Sequence, residues 1–132
     1  MEPKPDLLFV YGTLRPSLAR GEPADLVRVL TCVGQATVQG DLYDLGGYPG
    51  LVAGRGRVHG ELVQITTASQ LAALDAYEEC SGPQPLFLRE QTLVLRSDGI
   101  ELPAWVYVYA HPVTGSRLIP GGDYAAVRPP RH

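Results

Sequence analysis

Leu7-Leu8-Phe9-Val10-Tyr11-Gly12-Thr13-Leu14-Arg15-Pro16 is the stretch on which the fold turns. Residues 7–11 form an unbroken apolar run between Asp6 and Gly12. A strand that offers no polar face to water is one buried on both sides, so a strand over 7–11 is predicted. Gly12 to Pro16 then break the pattern. Glycine there lets the backbone approach a neighbour closely, and the loop follows directly from the buried strand.

The remaining chain supplies the elements to cover that strand. Residues 24–31 read as a short helix with Leu26, Val27 and Leu30 on one side. From Val33 to Thr66 the pattern is strand and turn. Val38 to Leu45 alternates loosely, Leu45 to Gly50 is dense turn chemistry, and Gly54-Arg55-Gly56-Arg57 reads as a further turn. Val58 to Ile65 is a strand with an irregularity expected at Gly60. Residues 67–79 are the best helix, opened by Thr67 and Gln70 at capping-box spacing and stopped by Gly82-Pro83. Two strands, Leu86 to Leu95 and Leu102 to Ala110, follow around the turn Arg96 to Gly99. The order is not a regular βαβ alternation. It predicts an α+β fold, with a mostly antiparallel sheet or small barrel and helices at its flanks.

At 132 residues, with 15 glycines and 12 prolines, the chain reads as one loop-rich domain. Its expected core is about 7–124, with 125–132 as a fraying tail. Net charge is −3 and no basic run occurs, which argues against a nucleic-acid partner. Cys32 and Cys80 have no metal-ligand spacing, so no zinc site is expected; they read as small buried thiols or as a disulfide pair that the sequence does not imply. His59, His111 and His132 do not cluster. Neither a signal peptide nor a run of roughly 18 apolar residues is present, which predicts a cytoplasmic protein that does not enter the membrane.

One carboxylate stands out by its position. At about 100° per residue, Leu71 and Leu74 define the buried stripe of the second helix, and Glu78 falls within it. Glu79 is turned roughly 100° away and is expected to be more exposed. Glu78 either faces a cavity, where burial would raise its pKa towards neutrality, or sits at a fraying helix end and reaches water.

Several segments recur together in one known family, and in the same order. Phe9 to Leu14 resembles the Tyr-Gly-Ser/Thr-Leu opening of γ-glutamylcyclotransferase-like (AIG2-like) proteins. Leu42 to Leu45 with Tyr48-Pro49-Gly50 resembles their Tyr-Asp-Leu and Tyr-Pro turn. Val58-His59-Gly60-Glu61 resembles their Val-x-Gly-Glu strand. Leu74-Asp75-Ala76-Tyr77-Glu78, followed by Phe87-Leu88-Arg89, resembles their helix end and aromatic-x-Arg strand. Ile119 to Tyr124 resembles their Ile-x-x-Gly-Asp-aromatic turn. Two departures stand out: Glu79 lies where glycine is frequent, and Phe87 where tyrosine is common.

The resemblance implies a small mixed, mostly antiparallel β-barrel with flanking short helices and a cavity at one end. It also implies an enzyme that cyclises a γ-glutamyl amine or peptide to 5-oxoproline and releases the amine, without a cofactor or metal. Glu78 maps onto the family's acid–base residue. Tyr11, Gly12, Thr13 and Leu14 map onto its substrate loop, whose amides suit both an oxyanion and the substrate's α-carboxylate. Arg15 and Arg89 are candidates for a second clamp or else ion pairs at the surface. Tyr48, Tyr107 and Tyr109 line the cavity or belong to the core. The alternative within the same fold is a small-molecule-binding member that lacks turnover. The glycine-rich C-terminal segment is either a lid or a disordered end.

Overall fold

The computed structural model describes residues 5–80 and 82–127. Its elements run β1 (Leu7–Val10), α1 (Glu22–Val27), β2 (Thr31–Asp44), β3 (Pro49–Gln64), α2 (Ala68–Tyr77), β4 (Phe87–Arg96), β5 (Glu101–Tyr109), β6 (Arg117–Leu118) and α3 (Tyr124–Val127). The strand order is β3-β1-β5-β4-β2-β6, and β2 also pairs with β3. That last pairing closes five strands into a barrel, with β6 attached outside the ring. All pairings are antiparallel except β1 with β5, where Leu8 lies opposite Trp105 and Phe9 opposite Val106. The barrel is therefore mixed and mostly antiparallel, with three short helices.

β1 is buried on both faces because its side chains alternate between two cores. Phe9 and Tyr11 belong to a cluster with Val38, Leu42, Val58, Leu62 and Val106, which fills the barrel. Leu8 and Val10 belong to a second cluster with Val27 of α1, Leu74 of α2, Val63 and Trp105. That cluster is the layer between barrel and helices.

α2 is capped as its sequence predicts: the Gln70 N–H donates to Thr67 Oγ1, and the Thr67 N–H donates to Gln70 Oε1. Other boundaries differ from expectation. α1 begins earlier, with proline in its first turn, and ends at Val27, because Thr31 is already paired with Gln64 at the start of β2. No turn forms at 54–57. These residues lie within β3, where Gly56 N–H donates to Asp41 Oδ1 and Gln39 Nε2 to the Gly54 carbonyl. Nor is there a register shift at Gly60. The register shifts between Cys32 and Gly34, where β2 carries the extra residue, and between Gln39 and Asp41, where the partner jumps from Arg57 to Val52 and β3 carries the extra residues 53–56.

The segment beyond His111 is more ordered than a frayed tail. β6 pairs with Tyr43 and Asp44, while Ile119 and Tyr124 are buried. Residues 125–127 are helical, and the predicted fraying of 128–132 concerns residues outside those described. Cys32 is exposed rather than buried, and Cys80 is half-buried; both are free thiols. Among the described residues no helix is long and apolar enough to cross a membrane.

Candidate active site

Where the loop after β1 meets the C-terminal end of α2, the molecule has a cavity of about 320 Å³. Tyr11, Gly12, Thr13 and Leu14 line one side, Tyr77, Glu78 and Glu79 another, and Tyr48, Phe87 and Tyr107 contribute to the remainder. Residues far apart in sequence thus converge because β1 sits beside β3 and β5 and α2 packs over them.

The loop is a turn closed by the Arg15 N–H donating to the Gly12 carbonyl at 3.0 Å. The Thr13 and Leu14 N–H groups, in the middle of that turn, find no acceptor among the described residues. Gly12 is required by packing: a β-carbon there would fall 2.7 Å from the Pro49 ring. The Tyr11 side chain anchors the start of the loop. Its hydroxyl donates to the Tyr107 carbonyl at 2.6 Å and accepts from the Leu51 N–H at 3.2 Å. Burial pushes that hydroxyl far above the usual phenol range, and the charge of Glu78 adds to the effect. Tyr11 is therefore a neutral anchor rather than an acid or base.

Glu78 is the residue that ends α2, with φ −85° and ψ 2°, and its N–H donates to the Leu74 carbonyl at 3.0 Å. Its carboxylate has no ion-pair or hydrogen-bond partner among the described residues. Burial is the main reason its pKa rises from 4.5 to about 7, and the neighbouring Glu79 charge adds to it. Glu79 is the one non-glycine residue with positive φ among the described residues, at 56°. It occupies the position just past the helix, where a left-handed residue is usual and glycine favoured. The sequence places Glu79 on the outer side. It is indeed exposed, yet this backbone turn also makes it part of the cavity rim.

Tyr77 was not among the candidates, although it follows Leu74 by three residues and so shares the stripe of Glu78. Its hydroxyl lies 3.0 Å from Thr13 Oγ1 and ties the end of α2 to the loop. Asp75 fixes the same helix end from the other side, accepting from the Tyr107 hydroxyl at 2.8 Å and from Arg89 Nε at 2.9 Å. Burial and the Asp75 bond hold the Tyr107 hydroxyl far above the usual phenol range. The Cys80 thiol is pushed up to about 12 by burial and by Asp75 and Glu78, so it is not a nucleophile.

The two arginines do not line the cavity. Arg15 is neither a clamp there nor a surface residue. Its Nε donates to Glu61 at 2.7 Å and its Nη1 to Asp123 at 2.8 Å, with its side chain 6% exposed. Arg89 pairs with Asp75 and stacks 4.2 Å from the centre of the Trp105 ring. Tyr48 lines the cavity, whereas Tyr109 packs edge-on against Phe87 and His111 and supports the wall from behind.

A family model described as gamma-glutamyl cyclotransferase, AIG2-like, matches residues 8–126. The chain belongs to this family. A relative from Escherichia coli K12, the gamma-glutamylcyclotransferase family protein YtfP, is 37% identical over 121 residues, covering 89% of this chain and 94% of its own. The solution structure of that E. coli protein superposes with a TM-score of 0.62 at 36% identity, over 89% of this chain and 95% of its own. An AIG2-like protein from mouse shares the fold, with a TM-score of 0.66 at 23% identity over 82% of this chain and 79% of that one.

Proposed function

We propose that the chain is a γ-glutamyl cyclotransferase that converts a γ-glutamyl amine or peptide into 5-oxoproline and the free amine, a carbon–nitrogen lyase reaction needing no cofactor. The observation that carries this reading is the pairing of an unpartnered carboxylate of raised pKa, Glu78, with a turn whose two central N–H groups have no protein acceptor, in one cavity.

The substrate carries its own nucleophile, so the protein has three tasks. Glu78 takes a proton from the α-ammonium, and the freed amine attacks the γ-carbonyl carbon. The new C–N bond closes a five-membered ring, and the carbonyl electron pair moves onto oxygen. The Thr13 and Leu14 N–H groups donate to that oxyanion. Glu78 then passes its proton to the departing nitrogen as the old C–N bond breaks. In the full cycle two protons travel from the attacking nitrogen to the leaving one, and a carboxyl with a pKa near 7 suits both uptake and release. Holding the γ-glutamyl chain folded supplies effective molarity. None of the residues lining the cavity is a cation, so the substrate's α-carboxylate is held by N–H and hydroxyl groups, with Thr13, Tyr48 and Tyr77 supplying hydroxyls in the lining.

The test is 5-oxoproline release from a panel of γ-glutamyl amines and dipeptides, with Glu78→Gln in parallel. The parent is expected to turn over at least one member, and Glu78→Gln to lose roughly 10²–10⁴-fold while still binding it. Turnover that persists in Glu78→Gln removes Glu78 from the mechanism. Binding without turnover by the parent favours a non-catalytic member of the family.

A further inference from the structure

Away from the cavity lies a buried polar network that the reaction does not use directly. Glu61, 2% exposed, accepts from Arg15 Nε at 2.7 Å, from the Ser17 N–H at 3.1 Å and from Ser17 Oγ at 2.5 Å. Arg15 reaches on to Asp123 with its Nη1. Three distant segments thus meet: the loop after β1, the C-terminal end of β3, and the C-terminal turn 119–124.

That turn is itself fastened at several points. The Ile119 N–H donates to the Leu42 carbonyl at 2.7 Å, and the His59 N–H to the Gly122 carbonyl at 2.8 Å. Gly122 has φ 65° and lies so close to β3 that a β-carbon would overlap the Arg57 carbonyl. Asp123 therefore presents its carboxylate from a fixed backbone. The Tyr124 hydroxyl donates to the Gly47 carbonyl at 3.3 Å, and Gly47 lines the cavity.

Arg15 is also the residue whose N–H closes the turn carrying the Thr13 and Leu14 donors, and its carbonyl accepts from Leu18 and Ala19 at 2.8 Å each. Its side chain and backbone are fixed together, so the pose of those two amides follows from where Glu61 and Asp123 hold the guanidinium. We propose that the C-terminal turn is a brace for the active-site loop, with Arg15 and Asp123 as positioning residues that aim the Thr13 and Leu14 N–H groups. The planar fork of arginine is needed because it spans two carboxylates at once, which a lysine ammonium on a single stem does not reproduce.

The proposal rests on the cyclotransferase reading for its kinetic test and has a second readout independent of it. Asp123→Asn and Arg15→Lys are made in the full chain. Misaimed oxyanion donors act on the transition state, so kcat falls about tenfold or more with KM within about twofold, at a temperature where each variant is fully folded. The acidic limb of the pH profile stays in place, because Glu78 is untouched. In parallel, 15N relaxation of residues 12–15 is expected to change from rigid values, with order parameters of about 0.85, towards more mobile ones in both variants. Unchanged kcat and unchanged relaxation in both overturn the brace, as does a kcat that merely follows the folded fraction. If the parent shows no cyclotransferase activity, the functional reading fails while the relaxation comparison still decides the brace.

Discussion

Glu61 and Glu78 are two glutamates withdrawn from water on the same small barrel, and they live opposite lives. Glu61 sits near the C-terminal end of β3 with its oxygens occupied by Arg15 and Ser17. Glu78 ends α2 with no charge partner among the described residues and a like charge next door. Glu61 is 2% exposed and Glu78 half-buried, so both lose hydration on folding. What separates them is whether the lost hydration is replaced by donors. In the proposed mechanism the satisfied carboxylate holds the loop and the unsatisfied one exchanges protons.

The comparison predicts substitutions of opposite sign. Arg15→Met strands Glu61 as a buried unpaired charge and is expected to cost about 3–5 kcal/mol, read as a fall in the urea midpoint. Loss of under 1 kcal/mol would mean that Glu61 finds water or another donor. Glu78→Gln has the reverse effect. Glu78 titrates near 7 when folded and near 4.5 when unfolded. The folded chain therefore holds the extra proton between those values, and stability declines as pH rises through that window. Glu78→Gln is expected to be close to neutral at pH 4 and to stabilise by about 1–3 kcal/mol at pH 8. A variant less stable than the parent at pH 8 would break the contrast.

Turnover adds a pH signature with the sign worked out. With Glu78 as the proposed base, kcat/KM is expected to fall below a midpoint near 7 and to level off above it until other groups titrate. Glu79→Gly gives the smallest effect. It relieves the one left-handed non-glycine residue described and removes a like charge, stabilising by about 1 kcal/mol and moving the acidic limb below 7. An unmoved limb would mean that the Glu79 charge does not reach Glu78 through solvent.

Local signals carried much of this into the sequence. The apolar run 7–11 foretold a doubly buried strand, Thr67 and Gln70 a capping box, and the spacing of Leu71, Leu74 and Glu78 a carboxylate on the inner stripe. The same spacing held Tyr77, whose position three residues after Leu74 was an available signal. The role of Arg15 was not legible, because its partners lie 46 and 108 residues away and only barrel closure brings them together. The Gly54–Arg57 stretch misled for a related reason. Its glycines serve the cross-strand approach of Asp41, a tertiary demand that local turn chemistry mimics.

The most direct test of the contrast is a 13C titration of the glutamate side-chain carboxyls in the intact protein, with the Glu78 signal assigned by comparison with Glu78→Gln. A midpoint near 7 is expected for Glu78. A midpoint near the ordinary 4.5 would mean that the cavity solvates this carboxylate, and Glu78 would then lack the property on which its proposed chemistry depends.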